Sequence, residues 1–358
     1  MTGIRLLTYP TTGPDDFSAL NLAEGQGFTS DSIIAVVGKT EGNGCVNDFS
    51  RTLAAATWEA RLPNDAVTVF SGGTEGVLSP HVNLVVADHR VDDRFDRGLV
   101  AAASETAVIA PEDLGRARQM DAVRETVSKM VADLGVSVGD VHLVLVKCPL
   151  LTSTDIADLR ARGIEPISTD TYESMGHSRA ASSLGIALAL DEIDTDQAHG
   201  ALAGEVDAWS NRASASSGAE LNSCHVLVIA ESGRVSNSLR AAHTEMVDGY
   251  DLRSLTETAR SIAQCGGTIR QIFVKAEADP EGSIRGLRHT MLTDSDINST
   301  RHARAAVGAL AAAVKGDGAV YVSGGAEHQG RPGGGSVTFI YDLEASCPSD
   351  LTKERSAL

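Results

Sequence analysis

Ile33-Ile-Ala-Val-Val-Gly-Lys39, Val141-His-Leu-Val-Leu-Val-Lys147 and Ile272-Phe-Val-Lys275 are three short apolar runs, and each ends on a lysine. Runs of this length, rich in Val, Ile and Leu, read as buried strands. Downstream of each lysine an arginine opens an alanine-rich helical stretch: Ser50-Arg51-Thr-Leu-Ala-Ala-Ala, Ser178-Arg179-Ala-Ala-Ser-Ser-Leu-Gly and Ala303-Arg304-Ala-Ala-Val-Gly. Each segment then reaches a small-residue turn built on serine, namely Ser71-Gly-Gly-Thr-Glu75, Ser216-Ser-Gly-Ala-Glu220 and Ser323-Gly-Gly-Ala-Glu327. Further strands flank the turns, with Ala66–Phe70 and Val320–Val322 before and His225–Ile229 and Val337–Tyr341 after. The order is constant while the lysine-to-serine separations differ, which points to one repeated unit with insertions in its surface loops. The expected fold class is α/β, three diverged α/β repeats over residues 1–105, 106–236 and 237–358.

Composition narrows the function. Hydrophobic residues make up 42% of the 358, enough for a large core, and aromatics only 4%, so Ala, Val, Leu and Ile must fill it. A net charge of −18 argues against nucleic acid as a partner, because a phosphate backbone needs a basic surface. No apolar stretch approaches the roughly 20 residues that span a bilayer, and no signal-peptide pattern opens the chain. The five cysteines are scattered without a CxxC pair, as expected of reduced thiols in the cytoplasm. Asp279–Gly282 and Gly330–Gly335 read as loops, and the polar tail Ser346–Leu358 as frayed.

A lysine closing a buried strand is the informative element. Desolvation lowers its pKa, and a neutral lysine can act as a general base. A serine hydroxyl becomes nucleophilic when such a base takes its proton. Glycines beside the serine let a substrate approach the backbone, and an arginine offers a fork of donors to carbonyl oxygens. Taken singly, each feature has a plainer reading: a strand-end surface lysine, an ordinary turn, a helix N-cap followed by a solvated arginine. Three occurrences of all three, in one order, favour a shared site over three surface accidents, with duplicated scaffolding as the alternative. His81 and Asp88-His89 lack metal-ligand spacing and read as structural or surface positions. Nothing in the spacing of His328 demands a role. No Gly-Lys-Ser/Thr follows the Gly330–Gly335 loop, so it is not a phosphate loop.

Longer motifs carry a resemblance. Gly38-Lys39-Thr-Glu-Gly-Asn-Gly-Cys-Val-Asn-Asp-Phe49, Ser71-Gly-Gly-Thr-Glu-Gly76, Lys147-Cys-Pro-Leu-Leu-Thr152, Thr290-Met-Leu-Thr-Asp-Ser-Asp-Ile-Asn298 and Ser323-Gly-Gly-Ala-Glu-His-Gln-Gly330 resemble the cyanuric acid hydrolase and barbiturase family of ring-opening cyclic amide hydrolases. The resemblance implies three repeats around a pseudo-threefold axis, one central active site and a homotetramer. It implies Lys147 as general base and Ser216 as nucleophile. Lys39, Ser71, Lys275 and Ser323 would bind the other faces of the ring. Arg51, Arg179 and Arg304 would each hold a ring carbonyl, with backbone N–H groups at Ser71-Gly72, Ser216-Ser217 and Ser323-Gly324. No cofactor is implied for catalysis. A structural magnesium or calcium ion is implied at the Glu277 carboxylate and the carbonyls of Ala326, Gln329, Gly330, Arg331 and Gly334, an all-oxygen set. Three departures stand out: a short Arg51–Ser71 connection, Ser217 as a second serine in the middle turn, and Arg331-Pro332 where the family pattern has a Pro-Asp-like pair.

Symmetry bears on the substrate. Cyanuric acid presents three equivalent carbonyls and three N–H groups, which a threefold set of Arg and Ser donors fits at every edge. Barbituric acid replaces one ring nitrogen by CH2, and the polar group facing it would go unpaired at roughly 1–3 kcal/mol. The resemblance implies that barbiturases alter the second and third arginines and the last Ser-Gly-Gly, whereas Arg179, Arg304 and Ser323-Gly324-Gly325 are intact here. The reading is therefore cyanuric acid opened to 1-carboxybiuret, then biuret and carbon dioxide. Barbituric acid converted to ureidomalonate is the runner-up, and a non-catalytic binder of planar cyclic ureas is the alternative of another class.

Overall fold

The computed structural model describes residues 1–73 and 75–344, so the tail Ser346–Leu358 lies outside the described residues. One connectivity occurs three times. The first unit runs β1 (Gly3–Pro10), α1 (Ala19–Glu24), β2 (Ile33–Thr40), α2 (Phe49–Glu59), β3 (Val67–Gly72) and β4 (His81–Asp88). The second runs β5 (Gly98–Glu105), α3 (Ala117–Asp133), β6 (Val141–Pro149), α4 (Ser153–Ala161), α5 (Thr171–Ala189), α6 (Thr195–Leu202), β7 (Ala213–Gly218) and β8 (His225–Ser232). The third runs β9 (Leu239–Met246), α7 (Leu252–Gln264), β10 (Gly267–Ala276), the small hairpin β11 (Ser283–Ile284) and β12 (Leu287–Arg288), α8 (Ser299–Lys315), β13 (Tyr321–Gly324) and β14 (Gly335–Leu343). The extra helices α4 and α6 and the hairpin are the insertions that make the lysine-to-serine separations unequal.

The three four-stranded sheets have equivalent orders, β1-β4-β2-β3, β5-β8-β6-β7 and β9-β14-β10-β13. In each, the lysine strand runs parallel to the serine strand, a pairing that needs a crossover, and the intervening helix supplies it. The change from first to second sheet falls between Asp88 and Gly98, ahead of residue 105, because β5 is hydrogen-bonded to β8 of the second sheet. The next change falls between Ser232 and Leu239.

Strand side chains alternate between two buried faces. On β6, Val144, Val146 and Cys148 pack toward α3, α4 and α5, while Leu143 and Leu145 enter a central core. That core also takes Val37 of β2, Val69 of β3, Phe273 of β10, Tyr321 of β13 and Ile340 of β14, so all three sheets contribute. Each fully buried Leu, Ile or Phe contributes roughly 1.5–3 kcal/mol, which makes this shared layer a main bond between the units. Period 2 then decides where the lysines go. Lys39 follows Val37, Lys147 follows Leu145 and Lys275 follows Phe273, so all three cap the central face around a pseudo-threefold axis.

Helix starts differ from the expected Ser-Arg caps. The caps are Asp48, Asp170 and Asn298, each accepting backbone N–H groups of the first turn. Arg51 and Arg304 lie near the starts of α2 and α8, but Arg179 lies in the middle of α5, whose first two turns precede it. Among the described residues no helix is long and apolar enough to cross a membrane.

Candidate active site

Strand pairing sets the lysines against the serines. Lys39 is the register partner of Ser71, Lys147 of Ser216 and Lys275 of Ser323. All six are buried, with the lysines at 2%, 1% and 0% exposure, so the surface reading of these cations is excluded. Each ammonium donates to the carbonyl of the residue after its own serine: Lys39 to Gly72 O at 2.9 Å, Lys147 to Ser217 O at 3.1 Å and Lys275 to Gly324 O at 3.4 Å. Bonds also cross from unit to unit in a cycle. Lys147 Nζ donates to Phe70 O at 2.8 Å, Lys275 Nζ to Ala215 O at 2.7 Å, and Ser71 Oγ to Val322 O at 3.5 Å. Each acceptor directly precedes a site serine, so the three pairs form one cluster.

The pairs are not identical. Lys275 Nζ lies 3.0 Å from Ser323 Oγ and Lys39 Nζ 3.4 Å from Ser71 Oγ. Lys147 instead faces the Glu220 carboxylate at 3.2 Å, and Ser216 Oγ is buried without a hydrogen-bond partner. Burial, then Arg304, holds Lys39 well below the ordinary lysine range, and burial, then Arg179, does so for Lys275. Burial also lowers Lys147, but Glu220 opposes it and Lys147 comes to rest at about 8. Ser217 pairs with Cys148, one residue beyond the Lys147–Ser216 pair, and so faces the helices. Its hydroxyl accepts from Arg179 Nη1 at 3.2 Å and donates to Met175 O at 3.3 Å.

The three arginines are buried at 2–5% exposure. Arg179 of the second unit is gripped by Glu327 of the third, Nε to Oε2 at 2.7 Å and Nη2 to Oε1 at 2.6 Å. Arg304 of the third unit is gripped by Glu75 of the first, through Nε to Oε2 at 3.0 Å and Nη2 to Oε1. Arg51 of the first unit donates to Ser217 O of the second at 2.8 Å and to Cys45 O at 2.5 Å, with Asp48 Oδ2 3.6 Å from its Nε. The segment between β2 and α2 closes over the site, with Asn43 O taking Arg304 Nη2 at 3.2 Å and Gly44 N donating to Asp48 at 2.8 Å.

This explains the glycine two residues after each site serine. A Cβ at Gly73 would fall 2.5 Å from Glu75 Oε1, at Gly218 2.1 Å from Glu220 Oε2, and at Gly325 2.4 Å from Arg179 Nη2. These glycines make room for the carboxylates and guanidinium groups. The glutamates were not singled out from sequence, although a Glu four residues after each serine was a visible signal. Asp48 was missed too, since nothing in its spacing repeats.

Residues of the implied cation site gather beside the third turn. Glu277 Oε2 accepts from Gly333 N at 3.1 Å, and burial together with the Glu327 carboxylate pushes its carboxyl up to about 7. The carbonyls of Ala326, Gln329 and Arg331 each accept one backbone N–H, leaving a second lone pair, and Gly330 takes a φ of +104° to form the turn. Among the described residues no group of three or more His, Cys, Asp or Glu is arranged to hold a metal, so an ion here would rest on one carboxylate and backbone oxygens. His81 is buried, its ring Nδ1 on Ser79 O, and His328, at φ +57°, donates to Ala208 O.

The family model described as amidohydrolase ring-opening protein (Amido_AtzD_TrzD) matches residues 5–342. A cyanuric acid amidohydrolase of Rhodococcus sp. is 62% identical over 346 residues, 97% of this chain and 98% of its own. That of Pseudonocardia dioxanivorans is 54% identical over 95% of this chain and 99% of its own. Among solved structures, a cyanuric acid hydrolase described as an evolutionary innovation by structural concatenation superposes with a TM-score of 0.90 at 43% identity, covering 96% of this chain and all of its own. The A. caulinodans enzyme superposes at 0.88 with 39% identity, over 96% and 99%. With three equivalent sheets, three buried lysine–serine pairs and a match along nearly its whole length, this chain belongs to the ring-opening amidohydrolase family of cyanuric acid hydrolases.

Proposed function

We propose that the chain hydrolyses cyanuric acid, with Ser216 as nucleophile and Lys147 as its base. The observation that carries the substrate is the cyclic arrangement of three Lys-Ser pairs and three buried arginines, a donor set with the symmetry of a ring bearing three carbonyls. The names of the relatives agree with it. Arg51, Arg179 and Arg304 hold the ring carbonyls, and the Lys39/Ser71 and Lys275/Ser323 pairs line the two edges that do not react.

Two features favour the second pair for the chemistry. Ser216 Oγ makes no hydrogen bond in the resting site, where the Tyr321 hydroxyl lies beside it, whereas the Ser217 hydroxyl is already engaged at both ends. A base near pH 8 can both take a proton and give it back, which a base with a far lower pKa does poorly. Neutral Lys147 takes the Ser216 proton as Oγ bonds to a ring carbon, and the tetrahedral oxyanion lies against backbone N–H groups of Ser216-Ser217. The ring C–N bond breaks, and Lys147 returns its proton to the leaving nitrogen. Water, activated by the same lysine, releases 1-carboxybiuret, which loses carbon dioxide to give biuret. Glu277 and the carbonyls of Ala326, Gln329, Gly330, Arg331 and Gly334 fit a magnesium or calcium ion, which would supply positive charge beside Glu277 and Glu327 and brace the turn that carries Glu327. The protein acts in the cytoplasm as a homotetramer on this reading.

Steady-state rates on purified cyanuric and barbituric acids test it. Cyanuric acid should be turned over with release of biuret, and barbituric acid poorly or not at all. A kcat/KM favouring barbituric acid would overturn the symmetry argument, and binding of both without turnover would make the chain a binder.

A further inference from the structure

Position by position, the three turn glutamates should behave alike, and one does not. Glu327 and Glu75 each grip the arginine of the preceding unit in the cycle. The arginine due to Glu220 by the same rule is Arg51. Arg51 is spoken for: its two terminal nitrogens donate to Ser217 O and Cys45 O, and its Nε, which makes no hydrogen bond, lies 3.6 Å from the carboxylate of Asp48, three residues earlier in sequence. The positions three before Arg179 and Arg304 are Gly176 and Arg301, neither of which could supply a carboxylate. Asp48 is therefore a local substitute that exists in the first unit alone. Glu220, which is not clamped by Arg51 although it feels its charge, lies 3.2 Å from Lys147 Nζ in an ion-pair contact without a hydrogen bond, and among the described residues neither Lys39 nor Lys275 has a carboxylate at ion-pair distance.

We infer that Glu220 is a positioning residue for the reaction: with Arg51 diverted to Asp48, its carboxylate holds Lys147 and singles out the second lysine–serine pair as the reacting one. The inference rests on the assignment of Lys147 as base. Its physical content is basicity. A lysine buried among guanidinium groups with no counter-ion is a poor proton acceptor, so it could not carry the Ser216 proton to the leaving nitrogen. The charged and titratable groups facing Lys147 are Glu220 from the turn after β7, Arg51 from α2 and Cys148 from its own strand. Glu220 is the group among them that opposes burial most strongly. Burial alone would raise the Glu220 carboxyl, and Lys147 and then Arg51 bring it below the ordinary range, so the two stabilise each other as an ion pair. Gly218 is part of the device, because any Cβ there would displace the carboxylate.

The test is the pH dependence of cyanuric acid hydrolysis by the full chain carrying Glu220→Gln. Loss of the carboxylate makes Lys147 easier to deprotonate, so the rising limb of kcat/KM, which reports the neutral base, should move to lower pH by about one unit or more. kcat on the plateau should fall about ten- to a hundredfold because the base is weaker, while KM changes less than about threefold. Glu220→Asp should restore part of both. Asp48→Asn approaches the device from its other side. It keeps a helix cap but frees Arg51 to draw Glu220 away, so its limb should shift in the same direction; it also serves if Glu220→Gln melts early. Glu75→Gln, on an arginine clamp, should raise KM and leave the limb in place. Ser216→Ala and Lys147→Ala separate the two levels of the argument. If either keeps near-native turnover, the assignment of the dyad falls. If both are inactive while Glu220→Gln and Asp48→Asn keep the native limb and plateau, the dyad stands and the role of Glu220 is refuted.

Discussion

Removing the Glu327 side chain should loosen the site and the fold together, by amounts the structure allows one to work out. Arg179 spends Nε and Nη2 on Glu327 and keeps one bond, from Nη1 to Ser217 Oγ. Its side chain is 6% exposed, so Glu327→Ala leaves a guanidinium that is buried and half unpaired. Breaking a fully buried ion pair from one side costs about 3–5 kcal/mol. The Glu327 side chain is 29% exposed, and water can reach part of the gap, which brings the expected loss to about 2–3 kcal/mol. For a chain of this length that is a fall in Tm of about 3 °C. Glu327→Gln keeps an acceptor and should lose roughly half as much. The catalytic signature is in KM: an Arg179 no longer aimed at a ring carbonyl forfeits a charge-assisted hydrogen bond, and KM for cyanuric acid should rise about tenfold or more. Calorimetry and steady-state kinetics on the two variants read both effects. A Glu327→Ala protein with native Tm would show that Arg179 does not depend on the clamp. A lowered Tm with unchanged KM would show that the clamp is scaffolding and that Arg179 does not hold substrate.

Ser216→Ala should lower kcat by several orders of magnitude while Ser217→Ala stays within about tenfold of native, and the reverse order would transfer the nucleophile to Ser217. The His142–His243 pair, Nδ1 to Nδ1 at 3.1 Å between the second and third sheets, should make the fold acid-sensitive. Burial first, and then cations such as Arg212 for His142 and His142 itself for His243, lowers them to about 4 and about 3 from 6.5. Their folded pKa values are depressed, so the unfolded chain binds more protons: stability is intact above pH 6.5 and falls as the pH drops toward 4, by about 2 kcal/mol per histidine at pH 5. Urea unfolding at pH 7 and pH 5 should show a smaller loss in His243→Asn than in the native protein, and equal losses would refute the assignment. Gly72→Ala puts a Cβ 1.7 Å from Asp48 Oδ2 and 2.9 Å from Gly44 Cα, so the cap of α2 must shift, at about 1–3 kcal/mol. Chemical denaturation should show that loss, and a native midpoint would mean the Asp48 network yields freely.

What was legible in the sequence was whatever repeats. Strand, lysine, arginine and serine turn recur in one order, and period 2 alone places Lys39, Lys147 and Lys275 on one face once the strands are granted. The units could be counted for the same reason. The edge of the first unit was harder, because β5 pairs with β8 from more than a hundred residues away and no local signal marks which sheet a strand will join. Helix starts were misplaced for a related reason. Ser50 and Ser178 look like caps beside an arginine, but Asp48 and Asp170 have the carboxylates that reach the first-turn N–H groups, and Thr171 begins α5 well before Arg179. The turn glutamates stand in plain view, but the partners of two of them lie in another unit, as with Glu75 and Arg304. Spacing along one chain cannot show such a contact.

A threefold scaffold meets two opposed demands. Gripping a ring with three carbonyls favours three identical donors, and the structure keeps the arginines, the serines and their buried lysines nearly equivalent. Hydrolysis attacks one carbon at a time, and three equal nucleophiles would compete for one ring. The asymmetry that resolves this is small: a serine in place of glycine at position 217, an aspartate at position 48, and a glutamate that consequently faces a lysine. Each alters a carboxylate or a hydroxyl and leaves the strand pairing and the shared core alike in the three units. Packing between the units is thereby insulated from the chemistry. Exchanging the Asp48 and Glu220 contacts should move reactivity within the ring of pairs without unfolding it, whereas trimming Leu145 or Phe273 beneath the lysines should unfold the ring before it changes which serine reacts.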